Sequence, residues 1–217
     1  IIMKRVIPLT EPELSDKEVK YLQKSIKDGW VSSAGPLVER FEKKLLSFCN
    51  RKYAIATVNG TSALFIGIKS LNLPKGSLVV IPDWTFAATA NAIIHAGLKP
   101  IFLDIKKQDW CINEDYVEKC LKKYKNKVSA ILFVNALGNI PNINKLKKLS
   151  KRFSLALIED AAGSIGSKKG NCLAGSNGDF SIFSFNGNKT LTSGGGGAIL
   201  TDNFELATKV RYLISQA

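Results

Sequence analysis

Histidine and cysteine are scarce in this sequence of 217 residues. His95 is the only histidine, which argues against a histidine-based catalytic triad and against a histidine-rich metal site. The four cysteines are scattered and form no Cys-x-x-Cys pair: they are Cys49, Cys111, Cys120 and Cys172. This spacing predicts four free thiols in a reducing cytoplasm, with neither a disulfide framework nor a zinc site.

Long apolar runs are also missing. No run reaches the length of about 18 residues that marks a membrane-spanning helix, and the first eight residues lack the apolar centre of a signal peptide. We therefore expect no membrane partner and a cytoplasmic location. With 45% hydrophobic residues, the chain suits one large globular domain or two small ones with a sizeable core.

Acidic residues are few relative to basic ones. The sequence has 31 lysines and arginines against 18 aspartates and glutamates, a net charge of +13. Residues 99–152 hold 13 of the basic and 5 of the acidic residues. Ten of these basic residues fall in two helix-like segments, 119–127 and 145–152, which are expected to present solvated faces. A nucleic-acid surface is the alternative, but these lysines are not interleaved with aromatic residues as in a stacking platform. Attraction of a small anionic substrate, without a nucleic-acid partner, is the milder interpretation.

What is present, from residue 53 onward, is an alternation of short apolar segments with amphipathic ones. The predicted strands are 53–58, 78–81, 100–105, 128–134 and 155–159, and the helices between and after them are 61–71, 87–95, 113–124 and 143–153. This order predicts right-handed βαβ units with helices on both faces of a sheet. Strands 180–185 and 198–201 follow with only a loop between them, so part of the sheet is expected to be antiparallel. The predicted fold is a three-layer αβα architecture with a mixed, mostly parallel sheet of about seven strands.

The first 52 residues precede this alternation. Ser15 and Glu18 form the pattern of a capping box that opens a helix ending near Asp28, and residues 37–48 return to helical spacing. We expect residues 1–52 to form a helical arm with an active-site loop and residues 53–217 to form the large α/β domain. A last helix runs from about residue 204 to the end without a C-cap, which predicts that the chain is part of a longer protein.

Chemistry-bearing residues follow several predicted strands. The first set is the turn Asn59-Gly60-Thr61-Ser62. A glycine lets the backbone approach a ligand closely, and the free amides at a helix start favour an anion such as phosphate. The turn is neither a Walker loop nor a dinucleotide fingerprint. An ordinary N-cap is the alternative, because Ser and Thr are favoured there.

The other three features are aromatic, acidic and basic. Trp84 and Phe86 follow a strand, and either could cover a flat cofactor ring, although aromatic residues more often belong to a core. Asp160 ends an apolar strand, where a carboxylate needs a positive partner or serves as a helix N-cap. Lys189 follows the apolar run 180–185; partial burial would favour its neutral amine, which can react with an aldehyde, whereas a solvated surface lysine is the alternative.

The order of these features matches a site that clamps pyridoxal phosphate (PLP) at both ends. The turn would bind the phosphate, the aspartate would pair with the pyridinium N–H, and Lys189 would hold the aldehyde covalently. Ligands of such sheets bind outside the carboxyl ends of the strands, and all four features lie there.

The motifs resemble those of the DegT/DnrJ/EryC1/StrS family of sugar aminotransferases, which are PLP enzymes of fold type I, and the likeness covers essentially the whole chain. The matching segments are Gly29-Trp30-Val31-Ser32-Ser33, Asn59-Gly60-Thr61-Ser62-Ala63-Leu64, Thr85-Phe86, Glu159-Asp160-Ala161-Ala162 and Phe183-Ser184-Phe185-Asn186-Gly187-Asn188-Lys189. The resemblance implies the large domain of such an enzyme, with a C-terminal small domain that this chain does not include.

The resemblance also implies a role for each matching residue. Lys189 would form the Schiff base and carry protons, Asp160 would bind the pyridine nitrogen, and Phe86 would stack on the ring. The phosphate would be held at Gly60, Thr61, Ser62 and Ser184. Trp30 and Ser32 would lie near the pocket for the nucleotide sugar.

Two positions depart from the family's pattern. Many members have Gln, Glu or His where this chain has Gly163, a side chain that contacts the 3-oxygen side of the cofactor, so another group or water must take its place. Many also have Glu at the position of Gly195. The run Gly194 to Gly197 resembles most the branch that acts on UDP-linked 4-keto-6-deoxy-N-acetylhexosamines.

The implied function is PLP-dependent transfer of an amino group, with glutamate as the expected donor, to a nucleotide-linked 4-keto-6-deoxy sugar. A lysine at 189 favours transamination, because dehydratase relatives carry a histidine there. The implied assembly is a homodimer whose partner subunit contributes to each active site. Two alternatives are another fold-type-I PLP enzyme, such as a desulfurase or a dehydratase, and a non-catalytic cofactor-binding or nucleic-acid-binding protein.

Overall fold

A seven-stranded mixed sheet lies at the centre of the computed structural model, which describes residues 7–8 and 11–215. The helices are α1 (Asp16–Lys27), α2 (Pro36–Cys49), α3 (Gly60–Ser70), α4 (Ala87–His95), α5 (Glu114–Tyr124), α6 (Ile143–Phe153) and α7 (Phe204–Ile214). The strands are β1 (Tyr53–Thr57), β2 (Leu78–Pro82), β3 (Lys99–Leu103), β4 (Val128–Val134), β5 (Ala156–Asp160), β6 (Lys168–Lys169), β7 (Cys172–Leu173), β8 (Phe180–Ser184) and β9 (Gly197–Thr201).

The strand order in the large sheet is β1-β9-β8-β5-β4-β2-β3. The pairs from β8 to β3 are parallel, and β9 is antiparallel to both of its neighbours. The predicted mixed, mostly parallel sheet of seven strands is therefore confirmed, including the antiparallel pairing of the last two strands. The β6–β7 hairpin was not predicted, because its strands are only two residues long.

Two layers of helices cover the sheet. Buried residues of α2, α5 and α6, such as Leu45, Leu121 and Leu146, form the core on one face. Residues of α3, α4 and α7, such as Leu64 and Ile93, form the core on the other. The three-layer prediction is thus confirmed. Within the described part of the chain, none of the helices combines the length and the apolarity that crossing a bilayer would require.

The N-terminal helices differ in how they pack. The predicted capping box is confirmed: the Ser15 amide and the Glu18 carboxylate hydrogen-bond at 2.7 Å where α1 begins. Helix α1 has no buried residue, whereas α2 places Leu45 and Cys49 in the core. The domain boundary at residue 52 stays a prediction.

The parallel strands bring the chemistry-bearing residues to one edge. Strands β1, β2, β4, β5 and β8 run in the same direction, so their carboxyl ends lie at the same edge of the sheet. The turn before α3, the segment before α4, Asp160 and the loop that holds Lys189 all follow these ends. This is the edge at which open α/β sheets bind ligands.

Candidate active site

A cavity of about 390 Å³ opens at this edge of the sheet. Phe86, Asp160 and Lys189 all line it, together with Trp84 and Gly163. The structure therefore brings together three side chains that lie as far as 103 positions apart in the sequence. They are the aromatic, acidic and basic members of the predicted cofactor site.

Asp160 is the last residue of β5 and is 5% exposed. Its Oδ2 accepts a hydrogen bond of 2.8 Å from the Thr89 hydroxyl, and its Oδ1 accepts one of 3.1 Å from the Ala162 amide. Burial raises the pKa of Asp160, while these two donors and the charge of Lys189 act in the opposite direction. A cation that approaches the carboxylate would favour its ionised form further.

Thr89 holds Asp160 from the neighbouring helix. It is fully buried on α4, and its hydroxyl also lies 2.7 Å from the Thr85 hydroxyl, which forms a short chain of hydrogen bonds leading to the carboxylate. Sequence reasoning assigned Thr89 no role. A threonine three residues into an apolar helix gives no signal that its hydroxyl points at a carboxylate on another strand.

Replacing Thr89 by valine is expected to weaken the binding of a cationic ring at Asp160 by about 10- to 100-fold, because a hydrogen bond to a charged group is lost while the shape is kept. The measurement is a titration of the cofactor-free protein with PLP, followed by absorbance. Thr89→Ser retains the hydroxyl and should bind nearly as the wild type does. Equal affinities of the valine variant and the wild type would contradict this role for Thr89.

Lys189 and Phe86 face each other across the cavity mouth. The Lys189 Nζ lies 5.8 Å from the centroid of the Phe86 ring, and the Lys189 amide donates to the Asn186 carbonyl at 3.0 Å, which fixes the start of the loop. Phe86 is the N-cap residue of α4 and is 75% exposed. Phe86 is therefore not a core residue, and most of its surface is open to solvent beside Lys189.

The predicted phosphate turn lies against Ser184. A Cβ on Gly60 would come within 2.8 Å of the Ser184 Cβ, so only a glycine permits this approach. Farther along α3, a Cβ on Gly67 would lie 2.4 Å from the Phe180 ring, which shows how closely the helix rests on β8. The Ser62 amide donates a hydrogen bond of 2.7 Å to the Asn59 side chain. Asn59 is therefore the N-cap residue of α3, and the Ser62 amide already has an acceptor.

The predicted phosphate-binding hydroxyls lie at the start of α3 and at the end of β8. Thr61 is exposed, Ser62 is half-buried and Ser184 is 8% exposed. The first amides of a helix have no intrahelical acceptor, so the turn still offers donors besides the hydroxyls. None of these residues lines the 390 Å³ cavity itself.

Trp30 and Ser32 lie elsewhere. Both are exposed in the loop between α1 and α2, and neither lines the cavity with Lys189. The Trp30 ring packs on Gly35, where a Cβ would come within 2.8 Å of it. Their contribution to a nucleotide-sugar pocket stays a prediction.

Asn135 is a residue of the site that sequence reasoning missed. It follows β4, lines the cavity and is 4% exposed. Its Nδ2 donates to Glu159 at 2.8 Å and to Ser164 at 3.3 Å, and among the described residues its Oδ1 has no hydrogen-bond partner. Its place directly after a seven-residue apolar strand, at the edge that holds Asp160, was the available signal.

Glu159 accepts the Asn135 hydrogen bond inside the core of the protein. It is fully buried and also accepts hydrogen bonds from the amides of Gly175 and Asn177, at 3.1 and 2.8 Å. Burial raises the pKa of Glu159, and the hydrogen bonds act against that rise. Gly163, which lines the cavity, faces open space, since a Cβ there would meet nothing within 4 Å.

Comparison with known proteins gives a consistent set of relatives. The DegT/DnrJ/EryC1/StrS aminotransferase family model matches residues 12–217. GDP-perosamine synthase of Vibrio cholerae is 36% identical over 211 residues, which are 97% of this chain and 57% of that protein.

Two solved structures illustrate the shared fold. Helicobacter pylori PseC, an aminotransferase involved in the biosynthesis of pseudoaminic acid, superposes with a TM-score of 0.88 at 27% identity, over 96% of this chain and 55% of PseC. The GDP-4-keto-6-deoxy-D-mannose-3-dehydratase of E. coli, solved with bound hydrated PLP, gives a TM-score of 0.85 at 27% identity, over 92% of this chain and 52% of the dehydratase. The chain thus spans about half the length of the relatives it matches.

Proposed function

Because the chain belongs to the DegT/DnrJ/EryC1/StrS aminotransferase family, whose members use PLP, we propose that it transfers an amino group to the ketone of a nucleotide-linked 4-keto-6-deoxy sugar. Glutamate is the proposed donor, and the cavity at the carboxyl edge is the proposed cofactor site. The observation that carries this proposal is the presence of Asp160 and Lys189 in one cavity beneath an exposed aromatic ring.

The described residues fit the cofactor. Asp160 is a buried carboxylate whose raised pKa reflects the cost of its charge, and a ring nitrogen that bears a proton would offset that cost. Phe86 offers an exposed face for the ring. Thr61, Ser62 and Ser184 would hold the phosphate at the start of α3, where the amides and the helix dipole favour an anion.

When bound, PLP supplies an aldehyde that takes up the amino group and an aromatic ring that accepts electrons. The residues of this chain supply the remainder. Asp160 would bind the protonated ring nitrogen, and Thr89 holds the carboxylate through a hydrogen bond of 2.8 Å. The Lys189 amine would hold the cofactor at its aldehyde end and would serve as the general acid–base that carries protons during transfer.

Amino transfer is favoured over dehydration by the residue at position 189. The fold alone does not decide between the two reactions, because the dehydratase from E. coli superposes about as well as PseC. A dehydratase of this family would carry a histidine where this chain has Lys189. The single histidine, His95, is exposed at the last residue of α4 and does not line the cavity.

A desulfurase would need an activated cysteine, and the thiols of this chain do not provide one. Burial raises the pKa of Cys49 and that of Cys111 to about 12, and burial also raises the pKa of Cys120. The reactive form of a cysteine is the thiolate, which these values disfavour. None of the four cysteines lines the cavity.

The proposed assembly and location follow from the family and from the thiols. We propose a homodimer in which a second copy completes each active site. The four unpaired cysteines favour a reducing compartment, and the cytoplasm is the proposed location.

Transfer through one cofactor predicts two separable half-reactions. The holoenzyme incubated with glutamate and then freed of it by gel filtration is expected to convert a nucleotide-linked 4-keto-6-deoxy sugar in an amount up to one per active site. Steady-state rates should give parallel double-reciprocal lines. Intersecting lines, together with no product in the second step, would contradict the proposal.

A further inference from the structure

Two tryptophans form a pair at the outer wall of the cavity. Trp84 lines the cavity with Lys189, and the Trp110 ring meets it edge-on, with the centroids 4.7 Å apart and an angle of 90° between the planes. The two side chains are 47% and 42% exposed. Nearly half of the surface of Trp84, a residue that lines the cavity, is therefore open to a ligand.

Trp110 is held in a conformation that costs energy. Its φ is +58°, in the left-handed region that residues other than glycine rarely adopt. Such residues cluster at ligand sites, where the surrounding structure enforces the conformation. The strain therefore points to a function for the position of this side chain.

Backbone hydrogen bonds and ion pairs hold the loop that carries Trp110 in place. The Trp110 amide donates to the Lys106 carbonyl at 2.9 Å, and the Lys106 amide donates to the Cys111 carbonyl at 2.8 Å. The Lys106 ammonium pairs with Asp109 at 3.2 Å and with Glu114 at 2.9 Å. These contacts hold Trp110 against Trp84 and so fix the orientation of the Trp84 ring.

The proposed function leaves Trp84 unassigned. Phe86 lies beside the Lys189 ammonium and is the proposed cover of the cofactor ring, so Trp84 provides a second aromatic surface in the same cavity. The wall near it is also apolar, since Leu137 lines the cavity with 78% of its surface exposed and a φ of +50°.

We propose that Trp84, braced by Trp110, is the surface on which the pyranose ring of the keto-sugar substrate packs. This inference rests on the proposed function. The carbon that reacts must come close to Lys189, so the sugar ring, and not the nucleotide base, is the part of the substrate that shares this cavity. The π face of an indole is negative, and the C–H hydrogens on one face of a pyranose are weakly positive, so the two surfaces are complementary.

The test compares Trp84→Ala, Trp84→Phe and Trp110→Ala in the holoenzyme, with Tyr116→Ala as a control at an exposed aromatic residue on α5. Trp84→Ala is expected to raise the KM for the nucleotide sugar by roughly 10- to 100-fold, about the loss known for nucleobases stacked on aromatic side chains. Trp84→Phe should retain most of the affinity, and Trp110→Ala should lie between the two.

Two further readouts separate sugar packing from a structural role. The half-reaction with glutamate should change less than about twofold in Trp84→Ala, because the donor does not carry the pyranose. The nucleoside diphosphate alone should inhibit the variant and the wild type equally.

Several results would overturn the inference. An unchanged KM for the sugar in Trp84→Ala would remove Trp84 from the substrate site, and equal losses in both half-reactions would assign it to the cofactor or to the fold. Weaker inhibition by the nucleoside diphosphate would mean that the base packs there. If the alanine variant does not fold, Trp110→Ala, for which an intermediate rise in the KM is expected, is compared with the wild type instead. A wild-type holoenzyme that makes no amino sugar would instead refute the proposed function.

Discussion

Replacement of Lys189 by alanine is expected to slow amino transfer by roughly 100- to 10,000-fold, because general acid–base catalysis by a positioned side chain contributes that much. Among the described residues, Lys189 is the only lysine that lines the cavity, so no neighbouring amine can replace it. The measurement is the rate of a single turnover with glutamate, followed by the absorbance of the cofactor. Both steps of transfer use the same amine, so both half-reactions should be lost together.

Lys168→Ala provides the matched control. Lys168 is an exposed lysine in the β6–β7 hairpin, and it does not line the cavity, so its loss should leave the rate within about twofold of the wild type. A Lys189→Ala variant that keeps more than a tenth of the wild-type rate would contradict the role assigned to Lys189. Lys189→His should not restore amino transfer.

Asp160→Asn is expected to lower activity on the order of 100-fold or more, because the charge that keeps the ring nitrogen protonated is removed at a preorganised, buried site. The change is nearly isosteric. The Thr89 hydroxyl, which lies 2.7 Å from Thr85, can turn to accept from the new amide, so the site should keep its shape. Activity and the absorbance spectrum of the bound cofactor are the measurements, and a variant with full activity would refute the pairing.

The same substitution is expected to stabilise the cofactor-free protein. Burial raises the pKa of Asp160 above its ordinary value of 3.8, so the folded state favours the neutral carboxyl, and its stability falls as the pH rises through that raised pKa. An asparagine cannot ionise. The melting temperature of Asp160→Asn should therefore exceed that of the wild type at pH 8, and the difference should shrink toward pH 4. A difference that grows as the pH falls would contradict this assignment.

The parts of the fold that could be predicted are those with a regular hydrophobic pattern in the sequence. The alternation of apolar strands with amphipathic helices set the number, type and approximate ends of the sheet-forming elements, and the structure matches them to within one or two residues. The β6–β7 hairpin was missed because two-residue strands, Lys168–Lys169 and Cys172–Leu173, have no period to detect. The strand order in space also needed the structure, since sequence order alone does not place β9 between β1 and β8.

Some residues of the candidate site could likewise be predicted from the sequence, whereas others could not. Asp160 and Lys189 could be chosen from the sequence because a charged residue is unusual at the end of an apolar strand, as Asp160 is, or in the small-residue loop that follows one, as Lys189 is. Thr89 could not, because its role depends on a contact across 71 positions. Trp84 was noticed, but only the strained partner Trp110, 26 positions away in the sequence, distinguishes it from a core aromatic residue. Long-range contacts of this kind are set by packing and leave no local pattern.

The central claim is that Lys189 holds pyridoxal phosphate in the cavity with Asp160. The most direct measurement is to load the protein with the cofactor, reduce it with borohydride, and map the modified peptides by mass spectrometry. The account predicts one phosphopyridoxyl group, on Lys189, that is absent from Lys189→Ala and strongly reduced in Asp160→Asn. Label spread over many of the surface lysines, or label that persists in Lys189→Ala, would contradict it.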